Sequence, residues 1–272
     1  MNVSTHCCYR VYKASAFARW LYRVVLPVLD PVRLVTALPG YVRYVSQWRR
    51  YARMLGSERL AVRDAHPILG EATGITGYDP HYVYQAAWAM KKIMKDKPIR
   101  HVDVASDHRF VTLLSTQLAT IFVDYRPLNI KLSGLTPMAG DILNLPFETD
   151  SIISLSCLHV VEHIGLGRYG DPLDPLGTKK ACHELSRVLA PGGRLYLSVP
   201  VGRPRVCFNA QRIHAVEAIL EYLKPLQLVE FSGVGDDKNF IENAELSKFR
   251  DDDYACGMFW FKKSLNNTLD TK

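Results

Sequence analysis

The stretch from Ala139 to Pro200 constrains the fold more than any other part of the chain. It holds a strand-like run from Ser151 to Leu158, a polar loop rich in Gly, Asp and Pro, and a helical segment from Thr178 to Leu189. A Pro-Gly-Gly turn and a second apolar run, Arg194 to Val199, complete it. Strand, loop, helix, turn and strand in this order form the βαβ unit of a parallel sheet, because parallel strands need a long crossover to return the chain to the same end. The polar loop opens where the first strand of the unit ends. In open α/β sheets ligands bind beyond that end of the strands.

The same alternation continues on both sides. Upstream, the pattern predicts a helix from Pro80 to about Met94, with Asp79 as N-cap and Pro80 in the first helical position. A strand over Arg100–Val104, a helix over 108–118, a strand over Ala119–Val123 and a third strand near Leu132 or Met138 follow. Downstream, a loop to Asn209 leads into a helix over Ala210–Leu223, then strands at Leu226–Val234 and Cys256–Lys262 that could form an antiparallel edge. The expected fold is α/β: a Rossmann-like, doubly wound, mostly parallel sheet with covered faces. Residues 79–263 would form this domain, residues 1–78 a basic helical N-terminal extension and linker, and residues 264–272 a polar tail.

Charge separates the extension from the domain. Of the net charge of +7, residues 1–56 carry nine Arg or Lys and only Asp30 as an acid, so the remainder is close to neutral. A basic head on a near-neutral body points to an accessory surface contact, and nucleic acid is not an expected partner. The spacing of Phe17, Trp20, Leu21, Val24, Val25 and Val28 predicts a helix over 9–29, and Val42, Val45, Trp48, Ala52 and Leu55 predict a second from Tyr41 to Leu55. Either these helices pack on the domain or a partner, or residues 9–56 lie at a membrane interface, where Arg beside Trp and Tyr is favoured. No apolar run approaches the roughly 20 residues of a membrane span, and six cysteines without regular spacing read as reduced thiols. A cytoplasmic chain is expected, with any membrane contact peripheral and on the inner face.

Acidic residues recur at strand ends: Asp103 in the first strand, Asp124 after the second and Asp141 before the fourth. An acid after the second strand can accept from ribose hydroxyls, although Asp at a strand end also serves as a turn former. Beyond the fourth strand, His159 and His163 flank Glu162. Either histidine could take a proton from an acceptor hydroxyl, with a pKa near working pH, or could cap or pack the next segment. A zinc site built from these three residues lacks a further ligand-bearing element, and no metal is expected. The loop that follows exceeds the usual βα length. In it Arg168 could clamp a phosphate or carboxylate, Tyr169 could stack on a sugar, and Asp171 and Asp174 could accept from sugar hydroxyls or build rigid Asp-Pro turns. Asn209 and Arg212 would reach the same rim and complete an acceptor pocket, unless Asn209 caps the next helix.

The order of elements resembles the class I S-adenosylmethionine-dependent methyltransferases. The phrases G-D-I-L-N-L-P-F-E-T-D-S-I (140–152) and E-L-S-R-V-L-A-P-G-G-R-L-Y-L-S-V-P (184–200) are similar to their third- and fifth-strand motifs. A narrower similarity over roughly 36–235 is to an uncharacterised methyltransferase-like family, domain of unknown function family 268. It is carried by residues 81–93, 101–107, 123–128, 156–175 and 199–213. The resemblance implies S-adenosylmethionine as cofactor, with Asp103 among the residues that bind it, Asp124 on the ribose, Asp141 and Ile142 at the adenine, and Ala105, Ser106 and His159 near the methionine part. Tyr84 and Gln85 would cover it. By association with surface-glycan assembly, the resemblance implies methylation of a hydroxyl on a sugar or glycan-linked acceptor. The alternative is a non-catalytic glycan- or nucleotide-binding module that keeps the fold. The chain departs from the superfamily at Ala105–Arg109, where glycines are usual. Close backbone approach there is expected to require a negative φ at Ala105, and a positive φ at Asp107 or Arg109 would be unfavourable.

Overall fold

The computed structural model describes Val25 and residues 30–265, so the expected helix over 9–29 and most of the polar tail lie outside the described residues. The chain divides into two compact units, Met1–Asp79 and Pro80–Lys272.

In the first unit, helix α1 spans Pro31–Tyr51, beginning well before the expected Tyr41. Pro31 suits a first turn because its missing N–H would have had no partner there. Pro39 lies inside the helix and leaves it one backbone donor short. Arg49 and Arg50 sit in the last turn, where cations favour the helix dipole. Val35, Leu38, Val42 and Val45 are exposed on α1. No helix among the described residues is long and apolar enough to cross a membrane.

The second unit is built on one eight-stranded sheet in the order β3-β2-β1-β4-β5-β10-β8-β9. The strands are β1 (Arg100–Val104), β2 (Ala119–Asp124), β3 (Leu135–Ala139), β4 (Ile152–Leu158), β5 (Leu189–Val201), β8 (Leu226–Val234), β9 (Phe240–Ile241) and β10 (Ala255–Lys263). β1 to β5 run parallel, and β10 inserts antiparallel between β5 and β8. β10 therefore lies inside the sheet, and β9 forms the edge beside β8. Five parallel strands followed by an antiparallel one between the last two long strands is the class I methyltransferase type of Rossmann-like sheet.

Helices α2 (Pro80–Asp96) and α3 (His108–Leu114), α4 (Gly177–Val188) and α5 (Val216–Tyr222) cover the sheet. Two buried apolar clusters hold these layers. One joins Trp88, Ile93, Phe110, Leu114, Phe122 and Tyr196, and the other joins Leu155, Leu185, Leu189, Leu195, Leu197, Ile219 and Phe259. The period-two alternation of β1 sends Val102 and Val104 into the second cluster. The expected helix over Ala210–Leu223 is replaced in its first part by a short hairpin of β6 (Arg205–Cys207) and β7 (Gln211–Ile213), and α5 starts only at Val216. Asn209, with φ of 61°, occupies the left-handed position of the hairpin turn, which Asn tolerates better than most residues.

Strand order reverses between β1 and β4. From β1 the chain proceeds outward through β2 and β3, then returns to start β4 on the other side. The strand ends diverge at such a switch point and leave a crevice.

Candidate functional site

A cleft, partly open to solvent, occupies that crevice. Val104 and Ala105 line it from the end of β1, Asp124, Tyr125 and Arg126 from the end of β2, and Asp141, Ile142 and Leu143 from beyond β3. His159, Val160, His163, Ile164 and Gly165 follow β4, and Tyr169, Asp171 and Pro172 close the wall from the long loop.

The first-strand loop turns without glycine because Ala105 adopts the left-handed conformation, with φ of 55°. The expected negative φ is thus corrected. Asp107 has φ of −55° and N-caps α3, its Oδ1 accepting from Arg109 N at 2.8 Å. Neither Asp107 nor Arg109 needs a positive φ, so one left-handed alanine suffices to turn the chain. Ala105 N donates to Val123 O at 2.8 Å, which joins the turn to β2.

Asp103 and Ser106 lie beneath this loop, buried and outside the cleft lining. Asp103 accepts from Ser106 N at 3.0 Å, from Ser106 Oγ at 2.7 Å and from Ser156 Oγ. Ser106 Oγ in turn accepts from Leu158 N at 2.9 Å, so one carboxylate ties the end of β1 to the end of β4. His101 extends the seam, with Nε2 2.8 Å from Ser156 Oγ and Nδ1 2.7 Å from Ser154 Oγ. Because Ser156 spends its proton on Asp103, it accepts from His101 Nε2–H, and His101 Nδ1 accepts from Ser154. Burial pushes Asp103 up to about 6 against its hydrogen bonds, and pushes His101 down to about 3.

At the next two strand ends the acids face the cleft. Asp124 Oδ1 accepts from Arg126 N at 2.7 Å, and Asp141 Oδ1 accepts from Leu143 N at 2.8 Å. Each carboxylate is positioned by the backbone two residues ahead, the Asx turn expected of Asp. One oxygen of each carries that bond, and the second is available to a ligand hydroxyl or amine.

The two histidines behave differently. A short 3-10 turn, Val161–His163, brings both against Glu162, which is fully buried and lines no part of the cleft. His159 Nδ1 lies 2.7 Å from Glu162 Oε1. Burial opposes charging of His159, but Cys256 and the Glu162 carboxylate prevail and push its pKa up to about 10. His163 Nδ1 lies 2.6 Å from the Ala210 carbonyl oxygen, which can only accept, so Nδ1 carries the proton and Nε2 the lone pair. Burial lowers the His163 pKa against the pull of Glu162, and the Arg168 guanidinium lowers it further. At neutral pH His163 is an unprotonated base on the cleft wall, and His159 already holds its proton.

The long loop is rigidly self-tied. Asp171 accepts from Gly165 N at 2.7 Å and from Tyr169 N at 3.2 Å. Gly165 has φ of 80°, and a Cβ there would lie 2.1 Å from Asp174 O, so only glycine fits. Asp174 lies outside the cleft, accepting from Leu176 N at 2.8 Å and pairing with Lys180 Nζ at 2.6 Å. Arg212 is also outside. It is buried and donates to the carbonyls of Ile164 at 2.6 Å and Asp174 at 3.0 Å, bracing the loop from below. Asn209 donates to Leu166 O at 3.4 Å. Arg168 donates to Ala210 O at 3.1 Å and stacks 5.1 Å from the Tyr169 ring centre. Tyr84 stacks on Phe240 with ring centres 5.3 Å apart, and Gln85 is buried, accepting from Ser198 Oγ at 2.5 Å.

Of the residues singled out from the sequence, the cleft therefore gathers Ala105, Asp124, Asp141, Ile142, His159, His163, Tyr169 and Asp171. Asp103, Ser106, Glu162, Arg168, Asp174, Asn209, Arg212, Tyr84 and Gln85 stand outside its lining. Arg126 was not singled out. Its guanidinium lies 4.5 Å from the Tyr169 ring centre and adds a cation to the cleft. Its only sequence signal was adjacency to Asp124.

Residues 142–251, less than half of the chain, match the model of a family described as Caenorhabditis protein of unknown function, DUF268. No curated protein sequence matches the chain. Among solved structures it is similar to the N-methyltransferase NodS from Bradyrhizobium japonicum in complex with S-adenosylhomocysteine, at 16% identity and a TM-score of 0.49, covering 68% of this chain and 88% of that one. It is also similar to a Haemonchus contortus phosphoethanolamine N-methyltransferase, at 15% identity and a TM-score of 0.47, covering 70% of this chain and 59% of that one. A third similarity is to the cyclase SpnF, at 13% identity and a TM-score of 0.48, covering 67% of this chain and 82% of that one.

Proposed function

We propose that the cleft binds S-adenosylmethionine and that the protein transfers its methyl group to a hydroxyl of a sugar or glycan-linked acceptor. The observation that carries this proposal is the placement of Asp124, Asp141 and His163 at the ends of three different strands around one switch-point cleft. Asp124 suits the two hydroxyls of a ribose, and Asp141 beside the apolar Ile142 and Leu143 suits the edge and face of an adenine. The turn at Ala105 has the left-handed shape that a glycine would otherwise supply, so backbone from the end of β1 reaches the cleft.

When bound, the cofactor supplies an electrophilic methyl carbon on a positively charged sulfur. His163 Nε2 would take the proton of the acceptor hydroxyl. Ala210 O fixes the tautomer that leaves Nε2 basic. The rest of the cleft holds donor and acceptor in line, which is the larger part of the rate gain in such a displacement. The Tyr169 ring carries the Arg126 and Arg168 guanidinium groups, and a sugar that stacks on it would have to displace one of them.

The test incubates the protein with methyl-labelled S-adenosylmethionine and a panel of mono- and oligosaccharide acceptors. O-methyl label is expected, falling about 10²–10⁴-fold in His163→Ala. Label on nitrogen only, or full transfer by His163→Ala, would contradict the proposal. We also propose that the first unit contacts anionic membrane, on the strength of the exposed Val35, Leu38, Val42 and Val45 and the arginines of α1. Deleting residues 1–56 should abolish pelleting with anionic vesicles, and equal pelleting would refute that contact.

A further inference from the structure

Behind the cleft wall, three side chains from three elements converge: His81 from the first turn of α2, His159 from the end of β4 and Cys256 from the start of β10. All three are buried, and a ligating atom of each lies within 4.8 Å of the other two. We propose that His81, His159 and Cys256 form a binding site for a zinc-class divalent cation. This goes beyond methyl transfer and does not depend on it.

Two buried polar atoms point to a missing partner. His159 Nε2 and Glu162 Oε2 have no hydrogen-bond partner. A buried nitrogen and a buried carboxylate oxygen left this way are expensive unless something satisfies them. Glu162 Oε1 holds Nδ1 of the same His159 ring at 2.7 Å. That is the carboxylate–histidine arrangement that aims the other ring nitrogen at a metal and raises its basicity. A cation on Nε2 would satisfy that nitrogen and supply a counter-charge to Glu162. The left-handed backbone at His159, with φ of 56°, is a further local cost that tertiary contacts must offset. It is sustained by His159 N donating to Ser198 O at 2.9 Å.

The donor set suits the ion. Two imidazoles and one thiolate are typical of borderline-soft zinc, and hard cations such as Mg²⁺ prefer oxygen. Zinc–nitrogen and zinc–sulfur bonds of about 2.0–2.1 and 2.3 Å place tetrahedral ligand atoms roughly 3.3–3.6 Å apart. With their ligand atoms within 4.8 Å of one another, the three side chains need to close by at most about 1.5 Å. The His81 and His159 rings lie 5.3 Å apart and within 12° of parallel, so the His81 ring must also turn until its lone pair meets the ion. Ligands that carry a proton release it to solvent as the ion binds. Cys256 Sγ donates to Gln85 Oε1 at 4.0 Å, an oxygen that also accepts from Ser198 Oγ, so the thiol would give up that bond on binding the ion. The ion would pin the start of α2 and β10 to the β4 loop, and so hold His159 against the cleft.

The full-length chain, stripped of metal, is titrated with Co²⁺ as a spectroscopic stand-in for zinc. One equivalent should produce a near-ultraviolet thiolate-to-cobalt band and the intense visible bands of a four-coordinate ion, and added Zn²⁺ should bleach both. Cys256→Ser should lose the thiolate band, and His81→Gln should bind Co²⁺ at least ~10-fold more weakly, in keeping with one lost ligand. Cys207→Ser, which alters a half-buried thiol on β6, should keep the whole spectrum. Absence of the thiolate band in the native chain, its survival in Cys256→Ser or its loss in Cys207→Ser would overturn the site. If Cys256→Ser does not fold, undiminished affinity in His81→Gln overturns it equally.

Discussion

Replacing Ala105 with glycine should make the protein more stable, which reverses the usual effect of introducing glycine. Ala105 has φ of 55°, where its Cβ crowds the following carbonyl oxygen at a penalty of roughly 1–2 kcal/mol. Glycine removes that penalty but loosens the unfolded chain, which costs about 0.4–1 kcal/mol. The net gain is centred on ~0.8 kcal/mol within a range of about 0–1.6, or roughly 2–3 °C in Tm for a domain of this size. Urea unfolding followed by near-ultraviolet circular dichroism gives the answer: the midpoint should rise with the slope unchanged. Ala105→Val is the converse, since a β-branched residue at positive φ is strongly disfavoured, and its midpoint should fall. A lower midpoint in Ala105→Gly would refute the idea that this alanine carries the strain a glycine normally avoids.

Two further outcomes follow from the buried polar groups. Asp103 titrates near 3.8 when free and is pushed up to about 6 by burial, so its contribution to stability is full below about pH 4 and is lost as pH rises through about 6. Midpoints measured from pH 4 to 8 should show a decline of up to about 3 kcal/mol in the native chain relative to Asp103→Asn, and parallel profiles would contradict it. Arg212→Ala leaves the carbonyls of Ile164 and Asp174 without their buried donor and should destabilise by about 2–4 kcal/mol, with new protease sensitivity between residues 163 and 177. Native-like resistance would show that the loop does not depend on this brace.

The parallel sheet was legible because each buried strand is a compact apolar run and each crossover is a helix with a polar face. The three strand-end acids were legible for the same reason: they lie at or just beyond the ends of those runs. Their separation into two that face the cleft and one beneath it was not, since the placement of Asp103 depends on the hydroxyls of Ser106, in the loop after β1, and Ser156, in β4. The hairpin at 205–213 escaped because its strands have three residues each, too few to show a period, and Asn209 suits a left-handed turn as well as an N-cap. Arg212 is expected at the acceptor pocket because buried arginine is uncommon, and its partners are backbone carbonyls that no side-chain pattern reveals. His159 and His163 looked equivalent as a pair four residues apart. Their surroundings distinguish the base from the charged imidazole: Ala210 O and Arg168 at His163, Cys256 and Glu162 at His159. The cluster of His81 with His159 and Cys256 joins residues far apart in sequence, and no local spacing could announce it.

The central claim is that the switch-point cleft is a cofactor site anchored on Asp124. Calorimetric titration of the native chain and of Asp124→Ala with S-adenosylhomocysteine tests it most directly. One site per chain is expected, weakened about 10–100-fold in the variant by loss of hydrogen bonds to a charged acceptor. No heat of binding in the native chain, or equal affinity in Asp124→Ala, would contradict the account.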